Sequence, residues 1–170
     1  MHTLMHTLKP LSADAIPRAI EKAERYRLLN QPWAAESICE DILKVQPGHQ
    51  AALRILLLSH TDQFTGESGR GPRARAVCAQ LTSPYEKAYY SGIIQERRAK
   101  AKIDARNPGS NHVAYELLRE AMNWYESAER LKPAGNDDAI LRWNTCARML
   151  NDSPQLAPRE HEKFEHVIGE

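Results

Sequence analysis

The sequence predicts an all-α protein, and three observations carry that expectation. Proline and glycine divide the chain at intervals that fit helices. Between those breaks, apolar residues recur every three or four positions. No stretch alternates with period two, and no Asn-Gly or Asp-Gly dipeptide marks a hairpin, so strand content is expected to be close to zero. Ala, Leu, Arg and Glu dominate the composition, and all four favour helix.

The breaks fall at Asn30-Gln31-Pro32, Pro47-Gly48, Phe64 to Pro72, Ser83-Pro84, Asn107-Pro108-Gly109, Pro133-Ala134-Gly135 and Asn151 to Pro154. They leave eight helical segments, near 14–29, 32–45, 48–63, 72–81, 84–106, 110–132, 136–151 and 157–167. In the first, Ile16, Ile20, Ala23 and Leu28 keep helical spacing. Ala35, Ile38, Cys39, Ile42 and Leu43 do so in the second. The third carries Leu53 and Ile55 to Leu58; the fourth is short, with Ala76, Ala79 and Leu81. The longest stripe is Leu117, Leu118, Ala121, Trp124, Tyr125, Ala128 and Leu131. Ile140, Leu141, Trp143 and Leu150 mark the seventh. Asp14, Ser83 and Asn136 suit N-caps, because a short polar side chain accepts from free first-turn N–H groups. Pro32, Pro84 and Pro158 suit first turns, where a missing N–H costs little.

A chain of 170 residues, 42% apolar and 26% charged, has enough apolar surface for one folded domain. A net charge of +1 argues against a dedicated nucleic-acid binder. The charge is uneven, however: residues 70–106 hold nine Lys/Arg against three Asp/Glu. Cys39, Cys78 and Cys146 are too few and scattered for a disulfide framework and read as packing residues in a reducing compartment. No apolar run approaches a membrane span. The repeated MHTL of the first ten residues lacks a basic start and a long apolar stretch, so no secretory signal is expected; Met1 and Met5 both remain candidate starts. The expected division is a flexible tail over 1–13, a helical domain over 14–151, and a linker with a capping helix over 152–170, in a cytoplasmic protein.

Short helices in antiparallel pairs, each pair closed by Pro, suggest repeats. In residues 16–49, Ala23 takes the small position where helices cross, Tyr26 follows three residues later, Ala35 opens the second helix, Cys39 takes the large apolar position and Pro47 closes the unit. Before Pro133, the residues Ala121, Tyr125 and Ala128 repeat the same spacing, and Gly92 is the small crossing residue of the preceding helix. This grammar resembles the tetratricopeptide-repeat (TPR) family, whose unit is a helix–turn–helix of about 34 residues. The opening Trp and Leu positions depart from it, holding Ala19 and Lys22. Residues 50–83 form a degenerate unit. The resemblance covers about residues 14–151 and implies a right-handed α-solenoid of seven to eight helices in antiparallel pairs, with a C-terminal cap over the last exposed face.

In that family the first helix of each pair lines a concave surface where peptides commonly lie. The resemblance therefore implies a groove lined by Ile20, Glu24, Arg27, Arg54, Leu58, Asp62, Tyr89, Ile93, Arg97, Asn144 and Arg148. A chaperone-type carboxylate clamp needs Lys and Asn in the first repeat; Ile20 and Glu24 stand there, so that ligand is not expected. The implied function is a non-catalytic scaffold for a peptide or protein partner, with no cofactor or metal. Self-association through an exposed terminal helix is a further expectation, and no membrane contact is expected. The alternative is a polyanion or nucleic-acid binder using Arg70, Arg73, Arg75, Arg98, Lys102 and Arg106, with only Tyr89 and Tyr90 as an aromatic platform.

Other motifs read as structure. His161 and Glu165 share a helix face, but the second His of a metalloprotease HExxH would have to replace Glu165, and His166 points elsewhere. His2 and His6 share helical spacing in the N-terminal tail. His49 and His112 fall at helix ends or turns, and His60 takes the repeat position that Tyr26 holds, which is a packing role. Gly66 to Pro72 faintly resembles a phosphate loop, but Pro72 stands where the Lys should be and a helix precedes it; it reads as a flexible loop. No nucleophile motif is present.

Overall fold

A computed structural model describes residues 6–65 and 69–160. A 3-10 turn, Ala13–Ala15, leads into α1 (Ile16–Leu28). There follow α2 (Pro32–Val45), α3 (Gln50–Asp62), α4 (Arg70–Ala79), α5 (Pro84–Ala105), α6 (Ser110–Leu131) and α7 (Asp138–Asp152). Among the described residues there is no strand.

Each helix packs mainly on its neighbours in the chain, and α1 also meets α3 as α3 meets α5. Small residues make the crossings close: Ala23, Ala35, Ala99, Ala114, Ala121 and Ala128 are all fully buried. One apolar cluster runs from α1 to α5 through Ala23, Cys39, Leu53, Leu57, Leu81 and Ile94. A second joins α5, α6 and α7 through Ile93, Leu118, Tyr125 and Cys146. Leu58 and Tyr90 touch both, so the two halves share one core.

The longest interface lies between α5 and α6. Its closest point is Gly92. A Cβ built there would lie 2.4–2.9 Å from three ring atoms of Tyr125, so only glycine lets this ring sit flush on the helix. Turns use left-handed backbone where the chain reverses sharply: Asn30 (φ 58°) ends the α1–α2 turn and Gly48 (φ 81°) follows Pro47.

Two of the three expected caps need correction. Asp14 lies inside the 3-10 turn, and α1 has no side-chain cap. Ser83 does cap α5, accepting from the Glu86 amide at 3.2 Å. Asn136 accepts from Asp138 at 3.0 Å from one position before the N-cap, Asp137, while His49 caps α3 by accepting from Ala52 at 3.2 Å. Helix α4 starts at Arg70, earlier than the expected 72, because Pro72 fits a first turn and Gly71 is buried there; residues 66–68 of that loop lie outside the described residues. The pattern 157–167 begins with non-helical residues 157–159, and 161–170 lie outside the described residues, as do 1–5. Residues 8–11 run beside α2, with Leu11 packed on the Ile16, Ile42 and Ala52 cluster.

Candidate interaction groove

The residues expected to line the groove sit three or four apart on α1, α3, α5 and α7, so each set shares one helix face. Where those faces adjoin, several of the charged side chains pair across helices instead of standing free. Arg27 Nε and Nη2 donate to Asp62 Oδ2 and Oδ1 at 2.7 and 3.1 Å. Arg97 Nη1 donates to the same Oδ1 at 2.6 Å. One carboxylate on α3 thus bridges α1 and α5. Arg54 Nη1 likewise reaches the Glu86 carboxylate of α5 at 3.2 and 3.3 Å. Packed helices lie about 8–10 Å apart, within reach of an arginine. Glu24 and Arg148 are exposed, Asn144 is half-buried, and Ile93 is in the core.

Tyr89 lies among aromatic rings, stacked on Tyr85 at 5.9 Å, edge-on to Tyr90 at 5.2 Å and tilted against Tyr125 at 6.0 Å. Beneath them is a buried polar cluster absent from the sequence reading. The Glu96 carboxylate accepts from the Tyr125 hydroxyl at 3.0 Å, the Cys146 thiol at 3.4 Å and Arg142 Nη1 at 3.0 Å, and so ties α5, α6 and α7 together. Burial, followed by the neighbouring Glu96 charge, pushes the Tyr125 hydroxyl well above its ordinary range, so it stays a donor. The signal that could have found Glu96 is its place one turn after Gly92, on the face that meets α6.

A second cluster joins α2, α3 and α4. Glu36 Oε2 accepts from Gln63 Nε2 at 2.8 Å and Arg70 Nη1 at 3.0 Å. Arg70 Nη1 also lies 3.2 Å from Nδ1 of His60, which is buried. Arginine only donates, so that nitrogen must be the acceptor of a neutral imidazole. Burial, then Arg70 and Arg73, lower the His60 pKa below 6.5 against the pull of Glu36. Burial pushes the Glu36 carboxyl up, but Gln63, Arg70 and His60 together bring it below 4.5. Both groups bind more protons when unfolded. Stability from His60 is therefore complete above 6.5 and is lost as pH falls below it; that from Glu36 is lost only as pH falls below 4.5. Thermal melts at stepped pH should show the two windows separately. His60→Gln should flatten the upper one and narrow the lower, since His60 also helps to lower Glu36.

Arg70 is engaged with Glu36 and His60, and Arg98 Nη1 donates to Gln95 Oε1 at 2.9 Å, while Gln95 donates to Glu120. Arg73, Arg75 and Arg106 are exposed and Lys102 is half-buried; Arg75 and Arg98 converge over Gly71.

All three cysteines are buried free thiols. Burial pushes Cys39 up to about 12 and raises Cys78 and Cys146 as well, so none is a thiolate near neutrality. Among the described residues no three His, Cys, Asp or Glu gather to hold a metal, and no helix is long and apolar enough to cross a membrane. His2, His161, Glu165 and His166 lie outside the described residues. No family model matches the chain, and no curated protein or solved structure matches it significantly.

Proposed function

We propose that this chain is a TPR-like α-solenoid acting as a non-catalytic scaffold that binds a peptide or protein partner along the faces of α1, α3, α5 and α7. The observation that carries this reading is the packing order. Successive helices pair, and the first helices of successive pairs also touch, α1 with α3 and α3 with α5, which is how repeat units stack. The repeat grammar of Ala23, Tyr26, Ala35, Pro47, Gly92, Ala121, Tyr125, Ala128 and Pro133 supports the same assignment. So do the exposed polar residues Glu24 and Arg148, which leave surface on these faces for a partner. Buried reduced thiols fit a cytoplasmic setting. The α1–α2 turn exposes Leu28, Leu29 and Trp33, which favours self-association at this end of the stack.

A pull-down with the intact chain from nuclease-treated lysate, at low and high salt, tests the reading. A specific protein retained at high salt, and lost when Glu24→Arg and Arg148→Glu are combined, is the expected result. Recovery only of salt-sensitive, nuclease-sensitive material would transfer the function to the arginines of α4 and α5.

A further inference from the structure

The bridge between α1, α3 and α5 is unbalanced. Both oxygens of Asp62 are occupied, Oδ2 by Arg27 and Oδ1 by Arg27 and Arg97 together. Its two partners are only partly used. Arg27 keeps Nη1, and Arg97 keeps Nε and Nη2, beyond the bonds made to Asp62. A neutral staple between helices needs one arginine, and the second is surplus. The three side chains are 22%, 16% and 30% exposed, so they border water without being flooded by it. They open onto a hollow of about 300 Å³ whose wall also includes Asn30, Thr61, Phe64, Lys100 and Asp104. Lys100 is paired to Asp104 at 3.1 Å, but that pair lies out in solvent and is weak. The wall's three cations and two carboxylates leave one net positive charge, and Arg27 and Arg97 keep N–H donors beyond those bound to Asp62.

From this geometry we infer that the Arg27–Asp62–Arg97 hollow receives a carboxylate side chain, Asp or Glu, from the bound partner. The inference rests on the groove reading above and gives the partner's chemistry at one point. A single surplus charge matches a monoanionic carboxylate better than a dianionic phosphate. Planar guanidinium edges held in place by Asp62 suit the two oxygens of a carboxylate. The site lies near the C-terminal ends of α1 and α3, beyond Ile20 and Glu24, the positions at which the family's clamp pattern fails.

The test uses the full-length ¹⁵N-labelled chain and two capped peptides, one carrying two glutamates and the other two glutamines at the same places. Amide shifts at residues 27–30, 61–64 and 97–101 with the glutamate peptide alone are the expected result. Arg97→Gln leaves the Arg27–Asp62 pair intact and should weaken that binding about tenfold. Arg97→Lys should recover part of it. Equal binding of the glutamine peptide, or no change in Arg97→Gln, overturns the inference, and so does a phosphoserine peptide that binds more tightly at the same amides. An Arg97-dependent glutamate site in a chain whose natural partner ignores Glu24 and Arg148 would leave this site standing and reject the groove. A partner lost with Glu24 and Arg148 but indifferent to Arg97 would do the reverse.

Discussion

Tyr125→Ala should lower the unfolding free energy by about 3–5 kcal/mol, a large part of what a domain of this size commands. The ring is fully buried on Gly92 and Tyr89. Its hydroxyl also supplies one donor to Glu96. Urea titration should show a lower midpoint at unchanged slope. A coupled result is sharper. Gly92→Ala alone should cost about 1–3 kcal/mol, because the new methyl overlaps the Tyr125 ring. In the Tyr125→Ala background the same change should be neutral or stabilising, since the overlap is gone and alanine favours helix by up to about 1 kcal/mol. Additive effects would mean that the two positions do not touch.

The second large loss is expected for Glu96→Ala. That change deletes the acceptor shared by Tyr125, Cys146 and Arg142. Removing one member of a buried pair costs about 3–5 kcal/mol. The Arg142 side chain is 35% exposed and water can take over part of its solvation, so a value reduced below that range, about 2–3 kcal/mol, is expected. Glu96→Gln keeps an acceptor for the hydroxyl and should lose about half as much. If Glu96→Ala melts like the parent, the carboxylate does not tie the last three helices together.

The helices were legible because their punctuation is chemical. Pro32 and Pro84 open first turns, Ser83 caps, and Asn30 and Gly48 occupy left-handed backbone where the chain reverses. Pairing of α5 with α6 was legible from Gly92 and Tyr125, since a missing side chain opposite a large ring is a local pattern. The start of α4 was not, because Gly71 and Pro72 carry the composition of a loop and only burial turns them into a first turn. The ion pairs were hidden for a different reason. Whether Arg27 and Arg97 meet Asp62 depends on the relative register of three helices 35 residues apart in sequence, and periodicity within one helix contains no such information. Glu96 was hidden by its neighbours: among Arg97, Arg98 and Lys100 it reads as dilution of a basic face, while its position one turn past Gly92 turns it inward.

The most direct test of the scaffold reading is a hydrogen-exchange comparison of the free chain with its complex with the partner recovered at high salt. Partner-dependent protection should concentrate on α1, α3, α5 and α7, strongest around Glu24, Asp62, Arg97 and Arg148. Protection confined to the outer sides of α2, α4 and α6, or to Arg73 and Arg75 alone, would contradict the account.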